Sequence, residues 1–317
     1  MPSFGKEFSV ELRVLRYFLT IAREENITRA AQILHITQPT LSRQIQQLEE
    51  ELKVTLFQRS RHRIVLTEAG MRLKLRAQDL IELADRTKRE MEQKDEIISG
   101  EISIGCGETR NFRFLANVME GFQDTYPEVY FSIYTGIADD VTERLDRGLL
   151  DFGLLIEPVD ISRFQFIRMP EEDCWSVLLP KNHRLAEQKS ISPCDLVNEK
   201  LILAGRRSVN NQLEHWFGPY ADQLKQATYM NLSLFNKCVL VEEGVGLALT
   251  LDFCYVPDGL VMVPMDPPIR NGAFLVWKKN HFLSPTMARF TDAVRRALEG
   301  VRIKQGQKVN RRPAGPE

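Results

Sequence analysis

The stretch "TRAAQILHITQPTLSRQIQQLEEEL", Thr28 to Leu52, decides the reading of the N-terminal part of this chain. It holds two apolar-faced segments separated by a short turn, His35 to Thr37. In the second segment Leu41, Ile45 and Leu48 recur at i, i+4 and i+7, which predicts one buried helical face. Pro39, Arg43 and Gln46 fall on the opposite side, flanked by Gln38, Ser42 and Gln47. Thr37 supplies the hydroxyl of an N-cap. Pro39 is tolerated in a first turn because the N–H it lacks has no intrahelical partner there. A polar side of this kind suits base edges: Gln pairs adenine and Arg pairs guanine bidentately, while Ser and Thr reach bases or phosphates. The stretch therefore predicts a helix-turn-helix whose second helix enters a DNA major groove. The plain alternative is a three-helix structural domain with an ordinary solvated face.

Working outward, Leu12, Leu15, Phe18, Leu19 and Ala22 recur at helical spacing between Val10 and Arg23, predicting a first helix. After the quoted stretch, "LFQRSRHRIVLTEAG" (Leu56 to Gly70) predicts two short strands with a basic tip, Arg59, Arg61, His62 and Arg63. Such a wing would contribute salt-sensitive affinity for a phosphate backbone. Thr67 is an N-cap candidate, and Glu68 faces the positive end of the next helix. That helix is expected to run to about Lys94. Along it Leu73, Ala77, Leu80, Ala84, Thr87 and Met91 alternate by four and three, a seam suited to a second copy of the chain, the alternative being a helix packed on its own domain.

From Ser99 the pattern changes to strand–helix–strand–helix–strand, which implies a parallel sheet. Strands are expected at 101–107, 129–134 and 151–156, with helices at 112–122 and 139–147. A second series follows Pro158. Its strands are expected at 164–169, 176–179, 201–203, 247–250, 260–263 and 274–278, and its helices at 211–220, 234–243 and 285–298. Residues 302–317, "RIKQGQKVNRRPAGPE", are expected to form a mobile tail.

The 317 residues carry a formal net charge of −1, 42 basic against 43 acidic. A nucleic-acid function is therefore local to one patch or domain. The five cysteines are widely spread with no C-x-x-C pair, and an odd count argues against a closed disulfide framework. Buried free thiols in a reducing compartment are expected, with a redox sensor as the alternative. No apolar run approaches the ~20 residues that span a bilayer, so a cytoplasmic protein with no membrane partner is expected.

Several of these pieces resemble one family. "LRYFLTIAREENITRAAQILHITQPTLSRQIQQLEEEL" and "LFQRSRHRIVLTEAG" are similar to the winged helix-turn-helix of LysR-type transcriptional regulators. "GEISIG", "LDRGLLDFGLL", "ISPCDL", "EEGVGLAL", "LVWKK" and "LSPTMARF" resemble the family's effector domain, so the likeness spans roughly residues 10 to 300. The resemblance implies a multi-domain fold: an all-α winged helix-turn-helix (1–67) plus a long linker helix (68–98), then a two-lobed α/β periplasmic-binding-protein-like effector domain (99–303) and a tail (304–317). It implies that Gln38, Pro39, Ser42 and Arg43 contact double-stranded operator DNA of imperfect dyad symmetry, with Arg29, Thr37 and Thr40 on the backbone and Arg59, Arg61 and Arg63 in the wing. It also implies homodimers or tetramers, RNA polymerase as a further partner, and a small-molecule effector of unknown identity between the lobes. No cofactor is expected. One departure stands in "GVGLALTLDF", where the family often has a proline after the strand.

Ligands of open parallel sheets bind beyond the carboxyl ends of strands, near helix N-termini. Glu108, Thr109 and Arg110 follow the first strand, Arg206, Arg207 and Ser208 follow a second-lobe strand, and Thr250 ends another. These seven are the candidate effector residues, with Thr109 foremost; the arginines suggest an anion and Glu108 argues mildly against one. Two other readings compete. A solute-binding protein would share the lobes but carry a secretion signal and no helix-turn-helix. An enzyme would need a catalytic motif, and no G-x-S-x-G, H-E-x-x-H, P-loop or complete Rossmann fingerprint is present. The five histidines are isolated, so no catalytic or metal site is expected.

Overall fold

The computed structural model describes residues 10–59, 63–92, 98–253, 255–279 and 283–309. The chain divides into two compact units, Met1–Glu92 and Gln93–Glu317.

The first unit holds α1 (Leu12–Glu24), α2 (Ile27–Ile33), α3 (Gln38–Leu52), a hairpin of β1 (Phe57–Arg59) and β2 (Ile64–Leu66), and α4 (Glu68–Glu92). Phe18, Ile21, Ala30, Leu41, Leu48 and Leu56 close its core. The buried face of α1 is Val14, Leu15, Phe18 and Ile21, whereas Leu12 of the expected stripe is 44% exposed. His35 takes a left-handed φ of 55°, which turns the chain between α2 and α3. Asn26 caps α2 and Thr37 caps α3 through their side chains. The Glu49 carboxylate accepts from the Leu56 and Phe57 N–H groups at 2.6 and 3.1 Å and ties α3 to the hairpin. Thr67 caps α4 by accepting from Gly70 N–H at 3.0 Å. Gly70 is required by close approach: a Cβ there would lie 2.1 Å from the Leu56 carbonyl oxygen.

The expected seam on α4 divides. Leu73 and Ala77, together with Ile81, pack into the unit's own core, and α1 lies against α4. Leu80 is 48% exposed and Met91 77% exposed. The N-terminal half of the stripe is therefore consumed at home, and α4 belongs to the first unit rather than standing apart from it.

The second unit is built on a nine-stranded sheet. Its strands are β3 (Gly100–Cys106), β4 (Val129–Thr135), β5 (Phe152–Ile156), β6 (Phe164–Pro180), β7 (Lys200–Leu203), β8 (Lys225–Tyr229), β9 (Leu247–Leu251), β10 (Leu260–Pro264) and β11 (Arg270–Lys278). The order is β4-β3-β5-β11-β6-β9-β7-β8, with β10 beside β6. The helices are α5 (Asn111–Thr125), α6 (Ala138–Asp146), α7 (Arg207–Phe217), α8 (Leu234–Glu242) and α9 (Pro285–Val309). Pairings among β3, β4 and β5 are parallel as expected, and those of β7 with β8 and β9 are parallel too. β11 runs antiparallel to β5 and β6, and β6 antiparallel to β9 and β10, so the sheet is mixed. One core gathers around Ile102, Phe152 and Phe290, a second around Val177, Leu201 and Phe217, giving two lobes.

Three expectations change. Strands expected at 164–169 and 176–179 are one 17-residue strand, β6, shared by both lobes. Pro170 does not break it, because it lies where the pairing with β11 shifts register and no ladder bond is lost. There the Asn111 side-chain amide serves instead: its N–H donates to the Glu171 carbonyl at 3.0 Å and its oxygen accepts from Glu171 N–H at 3.1 Å. β8 falls where no strand was expected, in the polar run "KQATY". Finally, α9 continues to Val309, past the boundary expected for a tail; residues 310–317 lie outside the described residues.

Candidate functional site

Two surfaces carry the chemistry. On α3, Thr37, Gln38, Pro39, Thr40 and Arg43 are exposed and Ser42 is half-buried. Gln38 donates to the Ser42 hydroxyl at 2.8 Å, and the Thr37 and Thr40 hydroxyls share a hydrogen bond of the same length. The first turn holds no acidic residue. Glu50 and Glu51 come later and accept from Gln46 and Gln47 at 3.1 and 3.0 Å. The helix thus presents its dipole-positive, acid-free half outward and keeps its acids at the far end. Arg43 makes no hydrogen bond or ion pair among the described residues. Arg29 pairs with Glu24 at 3.0 Å, and Arg63 with Glu25 at 3.2 Å. Arg59 ends β1, and its side chain and Arg61 lie outside the described residues.

The second surface is a cavity between the lobes enclosing about 770 Å³, counting its open mouth. Gly107 and Glu108 beyond β3, Gly136 to Ala138 beyond β4, and Ile156 and Glu157 at the end of β5 line it from one lobe. From the other come Trp175, Arg206, Val209, Leu232, Lys237, Thr250 and Phe253, among others. The wall is mostly apolar, as ligand clefts usually are. The loop before α8 is strained: Leu232 and Ser233 both adopt left-handed backbone, φ 50° and 60°. A branched residue held there costs of order 1 kcal/mol or more, and such strain gathers at functional sites.

Of the seven residues expected to touch a ligand, Glu108, Arg206 and Thr250 line the cavity; Thr109, Arg110, Arg207 and Ser208 are not part of its wall. Most of the polar ones are engaged with protein. Both Glu108 oxygens accept from Leu234 N–H, at 3.1 and 3.2 Å, so a carboxylate of one lobe caps α8 of the other. Arg206 donates to the Pro158 carbonyl at 3.0 Å and to Asp139 at 3.2 Å, again across the cleft. Arg110 donates to the Asp252 carbonyl and carboxylate at 2.8 and 2.7 Å. Asp252 directly follows β9. Thr109 is buried, and its hydroxyl donates at 2.6 Å to Asp173, which is fully buried.

Sequence reasoning missed Lys237. It is 8% exposed, lines the cavity and donates to the Thr250 hydroxyl at 3.4 Å. Burial lowers its pKa from the ordinary lysine value, and the nearby Glu108 charge partly opposes that. The signal was present: in "LFNKCVLVE" helical spacing puts Lys237 on the face of Leu234 and Val241.

Burial raises the thiol pKa of both Cys106 and Cys238, which disfavours the reactive thiolate. Cys254 lies outside the described residues. Among the described residues no group of three metal-ligating side chains gathers, and no helix is long and apolar enough to cross a membrane.

Residues 12–71 match the bacterial regulatory helix-turn-helix protein, lysR family, and residues 96–299 match the LysR substrate binding domain. The chain is 30% identical over 269 residues to the HTH-type transcriptional activator IlvY of Salmonella typhimurium, covering 84% of this chain and 88% of that protein. It is 29% identical over 305 residues to the Hca operon transcriptional activator HcaR of Escherichia coli, covering 92% and 99%. The crystal structure of CbnR, a LysR family transcriptional regulator, superposes with a TM-score of 0.71 at 22% identity, covering 91% of this chain and 99% of that one. A family of regulators rather than enzymes thus accounts for both units. The chain belongs to the LysR family: it is a DNA-binding transcriptional regulator whose second unit is an effector-binding domain.

Proposed function

We propose that α3 reads operator DNA through Gln38, Pro39, Ser42 and Arg43, and that Arg29, Thr37, Thr40, Arg59, Arg61 and Arg63 hold the phosphate backbone. The observation that carries this is the outward, acid-free half of α3 with Arg43 unengaged among the described residues. CbnR has been solved in complex with its target DNA, which supports transferring the docking mode. The effector occupies the cleft between the lobes, walled in part by Glu108, Arg206 and Thr250. Two copies, or four, associate through the exposed half of the α4 stripe and read an imperfect dyad in the cytoplasm, where RNA polymerase is the further partner. Genome-wide mapping of the DNA bound by the protein tests the reading: a small set of sites sharing one dyad motif is expected. Uniform, sequence-independent occupancy would overturn it, and the genes beside the sites would name the pathway.

A further inference from the structure

Four charged side chains line the cavity: Glu108, Glu157, Arg206 and Lys237. Glu108 is taken up by the α8 N-terminus and Arg206 by Asp139 and the Pro158 carbonyl. Glu157 accepts from Gly272 N–H at 2.7 Å. Lys237 differs from these three. Among the described residues it has one long hydrogen bond, to Thr250, and no carboxylate within 4.0 Å. Thr250 is itself 2% exposed. A buried ammonium so weakly partnered is costly, and the cost is recovered when an anion docks beside it. The wall of the same cavity includes the apolar side chains of Ile156, Trp175, Leu232, Leu251 and Phe253. The indole N–H of Trp175 is a second donor without an acceptor.

We propose that Lys237 and Thr250 form the carboxylate-binding end of the cleft, and that the effector is a small organic acid with an apolar, branched or aromatic body. This rests on the reading that the cleft is the effector site. The carboxylate accepts from the Lys237 ammonium and the Thr250 hydroxyl, while the apolar body covers the Trp175 and Phe253 side of the wall. Of the three arginines that suggested an anion from sequence, Arg206 and Arg110 instead hold the lobes together, and Arg207 is not part of the cavity wall. Glu108 does not bar an acid, because its charge is already directed at a helix N-terminus.

The test is calorimetric titration of the full-length protein with acetate, 4-methylpentanoate and phenylacetate, each beside its neutral amide. Affinity is expected to rise along the acids with apolar size, and each amide is expected to bind about tenfold or more weakly, the worth of a charge-assisted hydrogen bond. Lys237→Met should remove the preference for acid over amide while its melting temperature without ligand holds or rises. Acids that fail to bind, amides that bind as well, or an unaltered acid preference in Lys237→Met would overturn the proposal. A marked fall in melting temperature for Lys237→Met with unaltered acid binding would instead assign Lys237 to the fold as the partner of Glu108. Gly107→Leu separates the two levels. A Cβ at Gly107 meets its neighbours no closer than 3.7 Å, so the added chain fills the cavity without straining the backbone. Acid binding kept in Gly107→Leu would sink the cleft reading itself; binding lost there but kept in Lys237→Met would sink only the carboxylate end.

Discussion

The α3 surface and the inter-lobe cleft use polar residues in opposite ways. On α3 the expected contact residues bond locally or with nothing: Gln38 to Ser42, Thr37 to Thr40, Arg43 unengaged among the described residues. In the cleft Glu108, Arg110 and Arg206 bind across the two lobes, and Lys237 of α8 stands nearly alone, with one long bond to Thr250. A recognition helix meets its ligand as an exposed surface, so its polar groups have no reason to be spent beforehand. A cleft must also hold two lobes in register, so some of its charges serve the fold. Exposure on α3 therefore points to function, whereas in the cleft what distinguishes a residue is the lack of a protein partner.

The largest effect that would break this contrast is on α3. Arg43→Ala should cost about 1–3 kcal/mol of operator discrimination, roughly ten- to hundredfold in a mobility-shift titration, with no change in melting temperature. A loss of folding stability would show that Arg43 was engaged after all. Thr109→Val should behave in the reverse manner. It removes a buried donor from Asp173 and should destabilise the second unit by about 1–3 kcal/mol in urea unfolding while leaving DNA binding alone. An effector response blunted without any loss of stability would return Thr109 to the ligand. Leu80→Asp sharpens the α4 side of the comparison. Because Leu80 is 48% exposed, the variant should fold normally yet dissociate at higher concentration in sedimentation or light scattering. Dimers of unaltered strength would move the interface elsewhere. Arg29→Ala should do least. Its ion pair with Glu24 is on the surface, worth about 0–1 kcal/mol, and operator affinity should fall modestly and evenly across sequences.

The first unit was largely legible because its signals are local. Caps at Thr37 and Thr67, the i, i+4, i+7 face of Leu41, Ile45 and Leu48, and the acid-free start of α3 all lie within a few residues of the feature they set. What the sequence left open was competition for one face: Leu73 and Ala77 fit a seam between copies or the unit's own core, and only packing against α1 assigns them to the core. In the second unit most strands and helices were legible from periodicity. β8 was not, because "KQATY" lacks the apolar alternation that marks a strand.

The sequence by itself determined most of the helices and strands, the polar exposed face of α3 and the two-lobed plan, since each follows from spacing along a few turns or a few residues of strand. The tertiary structure alone decided which charges are free. Arg206 meets Asp139 across 67 residues, Arg110 meets Asp252 across 142, and Lys237 comes to Thr250 only when α8 packs behind β9. A charge's worth is set by what surrounds it, and those surroundings are assembled from parts of the chain that carry no local record of one another.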